Sequence, residues 1–259
     1  MKNLKDKIKN NELTIGSWIT IGNPIIAEIM AQSDYDWLTI DMEHSAITLD
    51  IAQDLIRIIE LYNVTPLVRV GTNDPNIIKR VMDAGAGGVI VPMVNSAQQA
   101  EDAVQAVKYP PLGIRGVGLA RAQKYGMDFE GYQKWNQESS LVIVQIEHID
   151  AVNNMESILA VDGVDGFIVG PYDLSGSLGV PGYFERPEML KALETVKKVS
   201  NKKNALSGYH VVDTAFEPFE QKVHEGYKFI AHGIDILFLA HGCKHFFRNV
   251  KKSHQDINL

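Results

Sequence analysis

Short runs of apolar residues recur along the chain, and each run is followed by a stretch in which apolar positions repeat at helical spacing. The runs are rich in Val, Ile, Thr and aromatic residues, which favours β-strands. Several are almost continuously apolar, as is typical of parallel strands that are covered on both faces. The pattern predicts eight strands, at residues 14–20, 36–42, 65–70, 88–94, 141–146, 165–169, 205–211 and 227–231.

The stretches between these runs predict helices, because apolar residues recur there every three or four positions. Asp74 and Pro75 form an expected helix start, since Asp caps the free N–H groups and Pro fits the first turn. Pro24 and Pro187 are expected to begin helices in the same way. The predicted helices span residues 24–32, 48–60, 75–84, 96–107, 149–160, 187–203, 213–224 and 236–250.

Eight strand-then-helix units in a chain of 259 residues are typical of the α/β class, and in particular of a (β/α)8 barrel, or TIM barrel. An open, doubly wound sheet is the alternative, but its glycine-rich fingerprint is missing after the first strand. Barrels of this length are ordinary single domains, so residues 1–259 are predicted to form one domain.

Residues 108–140 interrupt this alternation, because the stretch is far longer than a usual connection between a strand and a helix. A surface excursion that is half helical is one interpretation. The other is a lid or an oligomer contact near the mouth of the barrel, since long ordered loops are usually functional.

Composition narrows the possible functions. The apolar fraction of 45% and the charged fraction of 22% suit a globular protein with a sizeable core. A net charge of −7 argues against a general nucleic-acid binder, and no apolar run is long enough for a membrane span. The polar N-terminus does not resemble a secretory signal. The single cysteine, Cys243, cannot form an internal disulfide or a thiolate metal site, so a cytoplasmic protein is expected.

Polar residues at the ends of the predicted strands are the candidates for chemistry, because barrel enzymes place their active sites there. Asp41, Glu43 and His44 end the second strand, where a carboxylate can orient a histidine that acts as a general base. A helix-capping loop with a chance histidine is the alternative. Arg69 ends the third strand inside an apolar run, which indicates either an anion contact or a structural ion pair.

Two later strands end in a similar way. Gln145 and Glu147 lie two residues apart and therefore face the same way, into the barrel, while His148 points away and is interpreted as structural. The sixth strand is followed by Gly170 and Pro171 in a tight turn, and then by Asp173, which is either a second carboxylate ligand or a helix cap. Two carboxylates with few nitrogen ligands suit Mg²⁺ or Mn²⁺ better than structural zinc.

With these residues in place, the sequence resembles the HpcH/HpaI family of class II, metal-dependent pyruvate aldolases. The likeness extends from Gly16 to about Leu239, and several motifs occur in order at the family spacing. They are IDMEHS (40–45), PLVRV (66–70), MDAGAGGVIVPMV (82–94), YPPLGIRGVG (109–118), VQIEH (144–148) and GPYDLSGSLG (170–179). The resemblance implies a barrel of the phosphoenolpyruvate/pyruvate-binding type in a homo-oligomer, as a hexamer or a trimer of dimers, with exchange of the C-terminal helix between subunits as one interpretation.

The resemblance also implies roles for the residues at the strand ends. Glu147 and Asp173 match the ligands of a divalent cation, Mg²⁺ or Mn²⁺, with Co²⁺ as a further candidate. Arg69 matches the residue that contacts the pyruvyl C2 oxygen and stabilises the enolate. His44, with Asp41 beside it, matches the base system that moves protons through a water.

Further positions match contacts to substrate. Gln145 matches a pocket residue close to the metal and pyruvate. The backbone of Gly170, Pro171, Tyr172 and Asp173 matches the segment that holds the pyruvate carboxylate, although Tyr172 stands where a small residue is expected.

Together these matches imply an aldolase that cleaves or forms 4-hydroxy-2-oxo acids, with pyruvate and an aldehyde as small-molecule partners. Asp83 matches a catalytic carboxylate that comes from a neighbouring subunit or its interface, and Arg121, Lys124 and Tyr125 are candidate contacts of the aldehyde. An oxaloacetate decarboxylase that uses the same site is the alternative. A barrel without catalytic activity is less favoured, because every expected metal and base position is filled.

Overall fold

A computed structural model describes residues 4–253 of the chain. The eight strands form a closed barrel in which each strand pairs in parallel with the next, and β8 pairs with β1. The (β/α)8 prediction is therefore confirmed, and the open sheet is excluded. The strands are β1 (Thr14–Ile19), β2 (Trp37–Asp41), β3 (Thr65–Arg69), β4 (Gly88–Val91), β5 (Leu141–Ile146), β6 (Gly166–Val169), β7 (Ser207–Val211) and β8 (Phe229–Ile234).

Helices connect the strands, and each predicted helix is present within a few residues of its expected bounds. Three helices were not in the predicted set: α1, which is a short and mostly polar helix, α6 in the long insertion, and α8 after β6. The helices are α1 (Leu4–Lys9), α2 (Pro24–Ala31), α3 (Leu49–Leu61), α4 (Pro75–Asp83), α5 (Ala97–Val107), α6 (Phe129–Glu138), α7 (Ile149–Ile158), α8 (Pro171–Ser177), α9 (Pro187–Lys203), α10 (Phe216–His224) and α11 (Asp235–Ser253).

The predicted helix starts have the expected chemistry. The Asp74 side chain accepts hydrogen bonds from the N–H groups of Asn76 and Ile77, both at 2.9 Å. Pro24 and Pro187 stand in the first turns of α2 and α9. Among the described residues, no helix combines the length and the apolar character that crossing a membrane requires.

The barrel interior has its own apolar cluster, separate from the larger core between the strands and the helices. Near the N-terminal ends of the strands, the Trp37 ring stacks on Phe229 with 4.0 Å between centroids. Leu4 and Ile8 of α1 join this cluster, so α1 closes the N-terminal end of the barrel. The C-terminal end, where the polar residues converge, is the open mouth.

The insertion at 108–140 lies beside the N-terminal end of the barrel rather than over the mouth. Its ends meet there, since Lys108 Nζ donates to Ser140 Oγ at 2.8 Å, just before β5 begins. Arg121 donates to the carbonyl of Ala84, directly after α4, at 3.0 Å, and it also pairs with Glu60 near the end of α3. The expected lid over the chain's own mouth is therefore wrong, because these ion pairs and hydrogen bonds tie the segment to the other end of the helices.

A buried carboxylate holds the barrel closed at the mouth. Asp235, at the start of α11, accepts hydrogen bonds from the N–H groups of Thr20 and Ile21 at 2.8 and 2.7 Å, and from the Thr20 hydroxyl at 2.7 Å. The residue is only 5% exposed. Because Thr20 and Ile21 follow β1, one side chain joins the ends of β1 and β8 where the barrel closes.

We expect Asp235→Ala to lower the free energy of unfolding by roughly 1–3 kcal/mol, because it leaves two half-buried N–H donors without an acceptor. Urea unfolding of the variant beside the wild type measures the loss. Asp213→Ala is the matched control, since Asp213 also accepts a backbone N–H, from Ala215 at 2.9 Å, but is exposed to solvent. Equal losses in the two variants would contradict the role given to Asp235.

Candidate active site

The C-terminal ends of β2 and β3 place Asp41 beside Arg69, because the two residues are register partners in the parallel pairing. Arg69 Nε lies 3.0 Å from Asp41 Oδ1, and Nη2 lies 2.6 Å from Oδ2. Both side chains are buried. Burial alone raises the pKa of Asp41, but the hydrogen bonds and charge of Arg69 outweigh it and lower the pKa below its ordinary value. Arg69 is thus held by a two-point ion pair with an ionised partner.

The partner of Asp41 differs from the expectation. Asp41 was predicted to stand with the His44 imidazole, but its Oδ1 accepts from the backbone N–H groups of Glu43 at 2.9 Å and His44 at 3.2 Å. The His44 ring is 64% exposed, and its Nε2 lies 3.9 Å from Glu43 Oε2. Asp41 therefore orients Arg69 and the chain around His44, while the imidazole stands at the open mouth beside Glu43.

Glu43 is a site residue to which the sequence analysis assigned no role. Its Oε2 lies 3.1 Å from Arg69 Nη1. Burial raises the pKa of Glu43 above its ordinary value, Arg69 opposes the shift, and the charges of Asp41 and Asp173 add to it. The signal was available, since strand alternation already placed Glu43 on the same face as Asp41.

Two rings complete the surroundings of Arg69. The guanidinium carbon lies 4.4 Å from the centroid of the Trp18 indole in β1, and the His210 ring in β7 lies 5.1 Å from Trp18. Burial lowers the pKa of His210 to about 3, and the nearby positive charge of Arg69 acts in the same direction. The sequence placed His210 near the end of the seventh strand without a role, and nothing in it pointed to Trp18.

Glu147 lies at the end of β5, and its carboxylate is hydrogen-bonded on both oxygens. Gln145 Nε2 donates to Oε2, as the alternation predicted, and the Met93 N–H donates to Oε1 at 2.7 Å. Met93 has a φ of +53°, which is uncommon for a residue with a side chain and turns its N–H towards Glu147. Burial raises the pKa of Glu147 to about 7, against the hydrogen bond from Met93, and the charges of Glu43 and Asp173 raise it further.

The turn after β6 passes directly over this carboxylate. A Cβ at Gly170 would lie 3.0 Å from Gln145 Nε2 and 3.1 Å from Glu147 Oε2, so only glycine leaves the approach unobstructed. Asp173 stands exposed in the first turn of α8. The Tyr172 ring packs edge-on against Phe184, with 5.1 Å between centroids, which gives this larger side chain a place outside the turn.

The charges at the mouth suit a bound cation. Four carboxylates lie near one another here, those of Asp41, Glu43, Glu147 and Asp173. The charge of Arg69 lowers the pKa of Asp41 and opposes the rise at Glu43, while the charges of neighbouring carboxylates raise the pKa of Glu43 and of Glu147. Gln145 Oε1 is buried without a hydrogen-bond partner, while Glu43 Oε2 has the ion pair with Arg69 Nη1 at 3.1 Å. Within residues 4–253 no cluster of three or more His, Cys, Asp or Glu side chains is already arranged as a metal cage. The donor set fits a cation that keeps several waters, as Mg²⁺ does.

Asp83 lies apart from these residues in the single chain. It ends α4, near the N-terminal end of the barrel, and its Oδ1 pairs with Arg115 Nη2 at 2.6 Å. The predicted role of Asp83 therefore requires the mouth of a neighbouring subunit.

His148 caps α7 through its Nδ1, which accepts from the Asp150 N–H at 3.1 Å, as its structural interpretation predicted.

Comparison with known proteins places these residues in a family context. The chain matches the model of the HpcH/HpaI aldolase/citrate lyase family over residues 14–242. It is 38% identical over 248 residues to the 4-hydroxy-2-oxo-heptane-1,7-dioate aldolase of Salmonella paratyphi C, an alignment that covers 94% of this chain and 93% of that protein.

Solved structures agree. An HpcH/HpaI aldolase/citrate lyase family protein from Burkholderia cenocepacia J2315 superposes with a TM-score of 0.91 and 32% identity, covering 96% of this chain and 98% of that one. A citrate lyase beta subunit from M. tuberculosis, complexed with oxaloacetate and magnesium, has a TM-score of 0.59 and 14% identity, covering 88% of this chain and 94% of that chain. The second likeness shows the fold alone.

Glu147 makes the stability of the metal-free protein depend on pH. Its folded pKa of about 7 lies above the ordinary 4.5, so between these values the folded state holds a proton that the unfolded state has lost. We expect the free energy of unfolding to fall by roughly 1 kcal/mol per pH unit across this window and to level off above it.

Urea unfolding in EDTA, from pH 4.5 to pH 8, measures this effect as the difference between the wild type and Glu147→Gln, which cannot ionise. Other titrating groups are common to both proteins and cancel. A difference that does not change with pH would contradict the assignment.

Proposed function

This chain belongs to the HpcH/HpaI aldolase/citrate lyase family, and from that membership and the geometry of the mouth we propose that it is a metal-dependent aldolase. It cleaves or forms 4-hydroxy-2-oxo acids, with pyruvate and an aldehyde as the products of cleavage. The observation that carries the proposal is Arg69, fixed by Asp41 at 2.6 and 3.0 Å among further carboxylates that suit a divalent cation.

Glu147 and Asp173 are the proposed ligands of the cation, with Mg²⁺ or Mn²⁺ favoured and Co²⁺ as a further candidate, because hard oxygen donors prefer such ions. The uncompensated carboxylates and the unpartnered Gln145 Oε1 support this choice. When bound, the cation polarises the 2-oxo group of the substrate and lowers the energy of an enolate.

Arg69 supplies the second stabilisation of that enolate. A guanidinium carries five N–H groups, and the hydrogen bonds to Asp41 use two of them, so others can meet the C2 oxygen. Because the side chain is held in place before the reaction, little reorganisation is needed as charge develops on that oxygen.

His44 is the proposed base. In cleavage, the C4 hydroxyl loses its proton to the imidazole, directly or through a water. The C3–C4 electron pair passes to the C2 oxygen as the enolate forms, and the aldehyde leaves. Glu43 Oε2 lies 3.9 Å from His44 Nε2, so a carboxylate stands beside the ring that takes the proton. The enolate then takes a proton at C3 to give pyruvate.

The turn from Gly170 to Asp173 is proposed to hold the carboxylate of pyruvate. The N–H groups of Tyr172 and Asp173 lie in the first turn of α8, where helix N–H groups lack intrahelical acceptors. Pro171 is buried and has no N–H, so it shapes the turn without competing for the anion.

The aldehyde partner is proposed only as the fragment that a 4-hydroxy-2-oxo acid releases beside pyruvate, since that class of acid stands in the name of the Salmonella relative. The predicted contacts in the insertion do not reach it from the same chain: Arg121 binds Ala84 and Glu60, Lys124 pairs with Asp128 at 2.6 Å, and the Tyr125 hydroxyl lies 3.4 Å from Arg57.

The exposed thiol of Cys243 suits the reducing cytoplasm in which we propose that the enzyme acts.

A homo-oligomer, as a hexamer or a trimer of dimers, is the proposed assembly, with α11 exchanged between subunits and Asp83 delivered to a neighbour's mouth. Apolar side chains support it, because α11 exposes Leu239, Phe246 and Phe247 while α2 exposes Ile25 and Ile29. Exposed apolar residues of this size on two helices are typical of surfaces that bury each other on association.

Replacement of both Phe246 and Phe247 by Ser tests the assembly. We expect the double variant to sediment as smaller species than the wild type in analytical ultracentrifugation, because the exposed rings are lost. Leu112→Ser is the control, an exposed apolar residue in the insertion and on neither helix. A monomeric wild type, or an unchanged double variant, would contradict the proposed contact.

Exchange of pyruvate methyl protons in D₂O tests the enolate site. We expect exchange with Mn²⁺ and none after EDTA, and Glu147→Ala is expected to lose Mn²⁺ binding measured by calorimetry. A metal-loaded wild type that does not exchange would sink the proposed function.

His44→Ala then separates aldolase from decarboxylase. We expect aldol cleavage to fall about 10²–10⁴-fold, the usual contribution of a general base, with little change in KM for pyruvate exchange. Oxaloacetate loses CO₂ without releasing a hydroxyl proton, so its decarboxylation is expected to survive the substitution. Equal loss of both reactions would remove the base role from His44.

A further inference from the structure

We propose that Trp18 and His210 are positioning residues for Arg69: His210, hydrogen-bonded to the backbone of β8, holds the Trp18 indole against the guanidinium that meets the substrate. The inference rests on the proposed function, because it gives Arg69 a place in the reaction. It adds two residues to the mouth, Trp18 on β1, which lies across the barrel from β5, and His210 on β7.

Arg69 needs a contact on its face as well as at its edge. Asp41 grips one edge of the guanidinium, at 3.0 and 2.6 Å, and Glu43 lies 3.1 Å from Nη1. These contacts lie at the edge of the planar guanidinium, so the tilt of its plane depends on other neighbours. The Trp18 ring, 4.4 Å from the guanidinium carbon, supplies that contact, since arginine stacks on aromatic faces by cation–π attraction.

Packing alone sets the orientation of Trp18. The side chain is 2% exposed, and its indole Nε1 is buried without a hydrogen-bond partner. The pairing register between β1 and β8 shifts between Gly16 and Trp18. Such irregularities turn a side chain away from its regular direction and occur beside active sites. The angle of this indole therefore depends on the side chains packed against it.

His210 is the ring that provides this support. Its Nε2 lies 3.2 Å from the Gly233 carbonyl, which can only accept, so Nε2 carries the proton. The ring lies 5.1 Å from Trp18 and is tilted by 38°. Burial keeps it neutral, with a pKa of about 3, which also avoids repulsion with Arg69.

The acceptor of this hydrogen bond is itself fixed. Gly233 has a φ of +65°, and a Cβ there would overlap the Phe238 ring. The backbone of β8 therefore takes a conformation that favours glycine at this position. A chain of contacts runs from Gly233 through His210 and Trp18 to Arg69, in which each group is held by the one before it.

Trp18→Leu tests the contact, and Trp37→Leu is its matched control. Both indoles are almost fully buried, both have an unpartnered Nε1, and both lie against another ring, but Trp37 stacks on Phe229 at the far end of the barrel. We expect Trp18→Leu to lower kcat for pyruvate exchange roughly threefold to thirtyfold, while Trp37→Leu leaves it unchanged at a similar loss of stability. Trp18→Phe and Trp37→Phe serve if the leucine variants do not fold.

Arg69→Lys completes a double-mutant cycle. Lysine lacks the planar face, so Trp18→Leu is expected to have little further effect on exchange in that background. The same fold-loss in both backgrounds, or equal effects of the Trp18 and Trp37 variants, would overturn the inference.

His210→Ala and His210→Phe test whether the His210 ring holds the Trp18 indole in place. We expect the alanine variant to lower exchange, and the phenylalanine variant, which restores a ring without the N–H, to recover part of it. Crystal structures of these variants give a readout that does not depend on activity. A Trp18 ring that remains 4.4 Å from the Arg69 guanidinium carbon in His210→Ala, as in the wild type, would overturn the inference. A wild type that does not exchange pyruvate would overturn the proposed function instead, and the position of the ring would still decide whether His210 holds Trp18.

Discussion

The ion pair between Asp41 and Arg69 is the interaction on which the mouth of the barrel depends. The two residues face each other across β2 and β3 as register partners, and their side chains meet at two points. Neither charge is tolerable alone at this depth, since an unpaired buried ion costs several kcal/mol. The pair therefore fixes the positions of the neighbouring groups. Glu43 lies on the other side of Arg69, the backbone N–H of His44 donates to Asp41, and the indole of Trp18 covers the guanidinium.

On the other side of the mouth, around Glu147, the protein supplies too little positive charge to balance the carboxylates. Glu147 is buried beside Gln145 under the turn at Gly170, and its carboxylate accepts hydrogen bonds from the Gln145 amide and from the N–H of Met93. Burial and the charges of Glu43 and Asp173 raise its pKa to about 7, because the ionised form is costly to hold away from water. One half of the mouth is thus complete as a protein structure, whereas the other half holds Glu147, which we propose as a ligand of a cation.

Much of this arrangement follows from the sequence, and the remainder has an identifiable reason. Alternation along single strands was sufficient to place Gln145 beside Glu147, and an arginine inside an apolar run marked Arg69. The sequence of one strand does not show which residue of the next strand lies beside it. For this reason His44, which is near in sequence, was predicted as the partner of Asp41, and Arg69 was not. Trp18 reads as an ordinary core residue, because the register shift that aims it at Arg69 depends on β8. The side of the barrel taken by the insertion could not be predicted either, since it depends on contacts with residues distant in sequence, such as the one from Arg121 to the carbonyl of Ala84.

The insertion leaves and rejoins the barrel at nearly the same place, because Lys108 touches Ser140. Segments of this kind can lengthen, shorten or change sequence in evolution while the eight strands keep their register. Variation of residues 108–140 can therefore change the surface at the N-terminal end of the barrel without disturbing the polar residues at the mouth. In this barrel the insertion and the polar residues of the mouth lie at opposite ends of the axis, so each can change in sequence while the geometry of the other is kept within the chain.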